Sequence, residues 1–297
     1  MLDVHLRSRF QTVEPLNKGW SNDKKYICDG TLLLRVCDAS ERDIRRAEFE
    51  HLRELEVLGV PTSRPIEFGI CDGGASVFQL LTWLDGEDAE DVLPTLTGEE
   101  QYALGFASGE ILRKIHSLPA SPSAAPWCER FNKKVDRNIK LYRECGVTFD
   151  GAETILEYIE HNCALLQDRP QCFQHGDFHV GNMLINSRRE LLIIDWNRCD
   201  EGDPWEEFNR IVWSAQLAPI FAAAQLDGYF NSAAPQEFFA LLVFYIGSNT
   251  LGSIAWAIPF GQTEINTMLA QARDVLQWFD GMRSPVPTWY TEHSRWQ

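Results

Sequence analysis

The chain has 297 residues, 44% hydrophobic and 24% charged, a globular composition long enough for two lobes. Its formal net charge of -16 argues against a nucleic-acid partner, because phosphate backbones recruit Lys and Arg. Eight cysteines without a C-x-x-C pair signal neither a zinc site nor a redox pair, and thiols in apolar runs such as Ile27-Cys28 and Val36-Cys37 read as reduced and buried, which fits the cytoplasm.

Residues 1–11 mix charges and lack an apolar h-region, so they read as a short helix or lead-in and not as a signal peptide. Thr12–Pro15 is a first strand. Leu16–Asp23 is a polar turn with one glycine, Gly19. Lys24–Cys28 and Thr31–Cys37 are strand runs split by Asp29-Gly30, a hairpin signal because both central residues of the favoured turn need positive φ. Ser40 is the expected N-cap of a helix to about Leu58. Its inward face would be Phe49, Leu52, Leu55 and Leu58, and its outer face Arg42, Arg45, Arg46 and Arg53. Gly59 and Pro61 stop it. Strand runs Pro65–Cys71 and Ala75–Thr82 flank a turn at Asp72-Gly73-Gly74. The polar connector from Trp83 to Asp88 sets the boundary between a lobe at 1–84 and one at 85–297.

Thr97 and Glu100 form a capping box for a helix to about Leu118, with Leu104, Ile111, Ile115 and Leu118 on one face. A Pro/Ser/Ala-rich loop follows to Pro126. Residues 127–144 and 151–167 are further helices, and helical patterns continue after residue 207 to about Phe279. Phe238–Thr263 has no charged residue and is long enough for a membrane span on paper. Its internal Gly, Ser and Asn and its acidic flanks, Glu237 and Glu264, point to a buried helix instead.

The chemistry concentrates in Phe173–Glu207. His175-Gly176-Asp177 presents a carboxylate, Asn182 follows five residues later, and Asp195 ends the apolar run Leu191–Ile194. Phosphoryl transfer needs metal to bridge phosphates and a carboxylate to orient the attacking hydroxyl and take its proton. Asp177 suits the second task. Asn182 and Asp195 offer the oxygen ligands that Mg²⁺ prefers. Leu184–Ile185 and Leu191–Ile194 read as a small hairpin with these two residues at its ends.

His-Gly-Asp-x-His-x-Gly-Asn followed by Ile-Asp-Trp resembles the aminoglycoside phosphotransferase family, small-molecule kinases with a protein-kinase-like fold. The resemblance implies a two-lobed α+β fold: a small β-rich N-lobe with one main helix, a larger mainly helical C-lobe, and the nucleotide between them. It implies Asp177 as catalytic base and Asn182 and Asp195 as metal ligands, with Mg²⁺ as cofactor and ATP or GTP as co-substrate. The family has a cationic residue on strand three paired with a Glu on the next helix; Arg35, not Lys, holds that position here, and Glu48 is its best partner, with Glu50 and Glu54 as the alternatives. Gly19 and Ser21 of the first turn would lie over the phosphates. Gln79, Thr82 and Trp83 would belong to the hinge that meets the base. Gly202-Asp203-Pro204 is similar to the family's Gly-Asp-Pro segment, which usually carries Asp where Glu207 stands. His175 and His179 are expected to brace the loop.

Asp200, Glu201, Asp203 and Glu206 admit two readings, an anionic wall for a cationic acceptor or the capping of a solvated helix start. With the family resemblance they point to an aminoglycoside as the small, hydroxylated partner. The alternatives are a metabolite kinase acting on choline, homoserine or a thiosugar, and a nucleotide-binding pseudokinase, which Arg35 encourages. No membrane partner is expected, and the chain is read as a monomer with a dimer as the alternative.

Overall fold

The structure, a computed structural model, describes residues 3–17, 23–231 and 233–293. The chain begins with helix α1 (Val4–Arg7) and strands β1 (Val13–Pro15), β2 (Lys24–Cys28) and β3 (Leu32–Asp38). Helix α2 (Arg42–Val57), strands β4 (Pro65–Cys71) and β5 (Ser76–Thr82) and the short β6 (Glu87–Asp88) follow. Helices α3 (Ala89–Val92), α4 (Gly98–Ile115), α5 (Trp127–Glu144) and α6 (Ala152–Asn162) precede strands β7 (Cys172–Gln174), β8 (Met183–Ile185), β9 (Leu191–Ile193) and β10 (Asp200–Gly202). Helices α7 (Ile211–Leu217), α8 (Pro219–Phe230), α9 (Gln236–Ala257), α10 (Gln262–Trp278) and α11 (Thr288–His293) complete the chain. They form two compact units. One runs to Glu87 and takes in Met183–Asn197; the other holds Asp88–Asn182 and the chain from Arg198 onward.

The first unit is built on an antiparallel five-stranded sheet of order β1-β2-β3-β5-β4. The β2–β3 hairpin turns at Asp29 (φ 50°) and Gly30 (φ 67°), the double positive φ that its turn type requires. Side chains alternate across the sheet. Leu34, Val36, Phe78 and Leu80 join Leu6, Phe10, Cys28 and Cys71 in one core. Arg35 and Gln79, opposite each other in the β3–β5 register, therefore point to the other face. Helix α2 buries Phe49, Leu52 and Leu55, as its periodicity predicts. Two expectations for this helix fail. Its entry is capped by Asp38, not Ser40: the Asp38 carboxylate accepts the Ser40 N–H at 2.9 Å and opens a 3₁₀ turn that runs into the helix. Arg45 is not on the outer face but 7% exposed, held there by carboxylates described below. The β8–β9 hairpin belongs to this unit, where Ile193 N–H donates to the Pro61 carbonyl at 2.8 Å and the Thr62 hydroxyl to the Ile193 carbonyl at 2.8 Å.

The second unit is mainly helical. The Thr97–Glu100 capping box starts α4 as expected. Helix α4 then meets α8 backbone to backbone. A Cβ at Gly109 would lie 2.1 Å from the Gln225 carbonyl oxygen, and one at Gly228 would lie 2.0 Å from that of Phe106. Gly109→Ala must push the helices apart and is expected to cost about 1–3 kcal/mol in urea unfolding; an unchanged midpoint would contradict so close an approach. Helix α9 is apolar on every side because α5, α6 and α10 pack around it. Gln236–Phe260 is the one stretch among the described residues long and apolar enough to cross a membrane, and 72% of its apolar window is buried inside the protein. It is the core helix of this unit.

Candidate active site

Strand β7 delivers the chain into the loop His175–Asn182, all within the second unit. Gly176 takes φ 81°, and a Cβ there would lie 1.9 Å from the Arg198 carbonyl oxygen, so only glycine fits. The Gly176 N–H donates to Glu207 Oε1 at 2.8 Å. The long side chain of Glu207, where Asp is usual in the family resembled, thus reaches into the turn and ties it down. His175 is fully buried, and its Nδ1 accepts the Asp177 N–H at 3.3 Å. His179 Nδ1 accepts the Gly181 N–H at 3.1 Å. Both histidines brace backbone.

Asn182 Nδ2 donates to the Asp177 carbonyl at 2.9 Å. That bond fixes the amide plane and leaves Oδ1 as the atom available to a cation. The Asp177 carboxylate is 18% exposed. Arg210 Nε lies 3.1 Å from Oδ1 and Arg198 Nη1 3.7 Å from Oδ2. Burial pushes the Asp177 carboxyl up, but Arg210, His179 and Arg198 more than reverse this and hold it below the usual carboxylate range. Burial also pushes the His179 imidazole down to about 4, so His179 is neutral near pH 7 and the two guanidiniums are the cations that keep Asp177 ionised.

The first unit carries Arg35, Glu48 and Asp195. Arg35 donates to Glu48 Oε1 at 2.6 Å, to Asp23 Oδ2 at 2.7 Å and to Asn197 Oδ1. Arg45 donates to the second oxygen of each acid, Glu48 Oε2 at 3.0 Å and Asp23 Oδ1 at 2.9 Å, and also to Asn197. Two guanidiniums and two carboxylates thus alternate in a closed, buried network. The Arg35–Glu48 pairing was legible in the sequence. Asp23 and Asn197 were not, since nothing local marks them as partners, and Arg45 was missed although Glu41 and Glu48 stand at i−4 and i+3 from it. Lys25 sits opposite Arg35 in the β2–β3 register; burial and Arg35 lower its pKa while Asp195 opposes them. Asp195 is exposed and adopts φ 64°, a left-handed conformation uncommon for a non-glycine residue and enriched at functional sites.

Several expected positions fall elsewhere. Gln79 cannot belong to a hinge that meets a base. It is mid-strand in β5, paired to β3 on one side and β4 on the other, and its 1% exposed side chain donates to the Arg45 carbonyl at 2.8 Å. The Thr82 and Trp83 N–H groups are bonded to the Arg64 and Thr31 carbonyls at 3.0 and 2.8 Å. Gly19 and Ser21 lie outside the described residues. Asp203 is not part of a substrate wall. It is fully buried, gripped by Arg169 at 2.6 and 3.0 Å, by the Tyr245 hydroxyl at 2.6 Å and by the Trp205 N–H at 3.0 Å. Glu201 accepts the Ser121 N–H at 2.7 Å, Asp200 lies 3.2 Å from Arg130, and Glu206 is 2.7 Å from Lys134 Nζ.

Beside Asp177 the second unit contains a cavity of about 200 Å³. Helix α5 supplies one wall through Trp127, Arg130, Phe131 and Lys134, the i, i+3, i+4, i+7 stripe of a single helix face. Gly176, Arg198 and Arg210 connect it to the Asp177 loop, and Glu206 and Asn209 close another side.

A profile of the APH phosphotransferase enzyme family matches residues 12–239. The chain belongs to the APH family. An APH(2″)-IIa structure in complex with gentamicin superposes with a TM-score of 0.64 at 18% identity, covering 93% of this chain and 97% of that one. A choline/ethanolamine kinase family protein from Mesorhizobium loti gives 0.67 at 16% identity, covering 95% and 94%. A GDP complex of aminoglycoside 2′-phosphotransferase-IIIa gives 0.65 at 12% identity, covering 93% and 98%. A search of curated protein sequences returns no match. The APH chain therefore has the two-lobed, protein-kinase-like fold of these kinases, with a β-sheet N-lobe and a helical C-lobe.

Proposed function

We propose that this APH protein transfers the γ-phosphoryl group of ATP or GTP to a hydroxyl of a small molecule in the cytoplasm. The carrying observation is Asp177: an ionised, largely enclosed carboxylate at the edge of a cavity, on a loop braced by Glu207, His175 and His179. Asp177 accepts the proton of the acceptor hydroxyl. The acceptor oxygen bonds to the γ-phosphorus as the bond to the β-bridging oxygen breaks, and the nucleoside diphosphate leaves with that electron pair. Asn182 and Asp195 each offer a side-chain oxygen, the donor type that Mg²⁺ prefers. Held by such oxygens, Mg²⁺ would neutralise charge on the phosphates. Arg35 has its donors committed to Glu48, Asp23 and Asn197, so a phosphate that engages it must displace one of them.

An aminoglycoside acceptor, and with it a role in antibiotic resistance, draws support from the gentamicin complex of a structural relative. Against it stands the engagement of the acidic residues: Asp203 with Arg169, Glu206 with Lys134 and Asp200 with Arg130. That favours the metabolite-kinase alternative. A pseudokinase is disfavoured by the presence of Asp177, Asn182 and Asp195 together. The test is a panel of aminoglycosides, amino alcohols and sugars with coupled detection of nucleoside diphosphate from Mg-ATP and Mg-GTP. Acceptor-dependent release that vanishes on chelation of Mg²⁺ is expected; release indifferent to every acceptor and to the chelator would refute the reading.

A further inference from the structure

The cavity beside Asp177 carries the opposite charge from the one an aminoglycoside requires. Four of its lining side chains are cations, Arg130, Lys134, Arg198 and Arg210, against the two carboxylates of Asp200 and Glu206. Those two acids are already matched to Arg130 and Lys134. Arg198 and Arg210 share a single carboxylate, that of Asp177, among the described residues. Counting Asp177 with the wall still leaves an excess of positive charge, and partly desolvated cations without full pairing favour an anionic partner.

Asn209 adds a second demand. It is 6% exposed, its Nδ2 donates to the Glu206 carbonyl at 2.7 Å, and its buried Oδ1 has no hydrogen-bond partner among the described residues. A buried acceptor in that state is costly, and it is sealed behind the cavity wall, within reach of a donor only if the side chain turns. Trp127 and Phe131, with ring centroids 5.2 Å apart, are nearly fully buried behind the wall, so the surface turned to a ligand is mainly polar. Size sets the last limit. About 200 Å³ falls below the ~300–1,000 Å³ that drug-sized ligands occupy.

We propose, on the basis of the phosphotransferase reading above, that the acceptor is a hydroxylated anion no larger than a single sugar ring, its carboxylate or phosphate held by Arg198 and Arg210, with Lys134 turning to it from its pair with Glu206. The hydroxyl to be phosphorylated faces Asp177.

The test is titration calorimetry of glucuronate, glucose 6-phosphate, glucosamine and kanamycin on the full chain, with nucleoside diphosphate release measured on the same compounds. At least one of the two anions is expected to bind about tenfold or more tightly than glucosamine, and which one separates carboxylate from phosphate recognition. Arg198→Gln and Lys134→Gln, both at partly exposed side chains, weaken that binding severalfold. Asp177→Asn strengthens it, because the two guanidiniums lose their competing carboxylate. Tighter binding of glucosamine or kanamycin, anion binding indifferent to both charge removals, or no binding of either anion at millimolar concentration overturns the inference. Failure of the phosphotransferase reading would look different: no diphosphate release with any compound while charge-dependent anion binding persists.

Discussion

Asp177→Asn lowers kcat by about 10²–10⁴-fold, the usual contribution of a positioned general base. The amide has nearly the shape of the carboxylate but takes no proton. Asn182 keeps its anchor, because the anchor is the backbone carbonyl of residue 177 and not its side chain. Nucleotide binding and the unfolding midpoint should therefore change far less than turnover. Since Asp177 titrates below the usual carboxylate range, the base is already ionised at pH 5, and the wild-type rate should not decline through the titration of this group between about pH 8 and 5. Coupled kinetics with calorimetry on the same preparations checks both parts. A variant with wild-type kcat would remove Asp177 from the reaction.

Asp203→Ala should unfold the protein more easily without acting selectively on the acceptor. The carboxylate is fully buried, and its removal strands the Arg169 guanidinium and the Tyr245 hydroxyl, which burial and the neighbouring carboxylate keep protonated as a donor. Breaking one side of such a pair costs about 3–5 kcal/mol. Asp200→Ala is the control, because its pair with Arg130 is exposed and worth about 1 kcal/mol or less. Denaturant unfolding of the two variants should separate them clearly. A stable Asp203→Ala protein with only a raised acceptor KM would restore Asp203 to the binding wall.

The two aspartates show what the sequence made legible. Asp177, Asn182 and Asp195 stand in one short stretch whose spacing carries the chemistry, and the strands, capping box and apolar core helix follow from local periodicity. Asp203 lies in the same stretch, yet its partners Arg169 and Tyr245 come from 34 residues upstream and 42 downstream, and no pattern links them. Arg45 failed for a related reason: on a helical wheel it faces water with its fellow arginines, its helix neighbours Glu41 and Glu48 could pair with it there, and Asp23 and Asn197, 22 and 152 residues away, complete the buried network that holds it inward. The cavity was legible in part. The stripe Trp127, Arg130, Phe131, Lys134 reads as one helix face, but whether it meets a core or a ligand depends on Glu206, Asn209 and Arg210 from another segment.

The division of the chain bears on its biosynthesis. The N-terminal unit is not finished when the fifth strand of its sheet leaves the ribosome, because the β8–β9 hairpin and Asn197 belong to the same unit. Until residue 197 emerges, Pro61 and Thr62 lack Ile193, and Arg35 and Arg45 lack the Asn197 oxygen that both share. At ~5–20 residues per second that interval lasts on the order of ten seconds, during which a nascent chain carries a unit without its hairpin and an incomplete charge network. A fragment ending at Glu87 should accordingly be a poor expression target, and a chain stalled before residue 197 a natural client for chaperones.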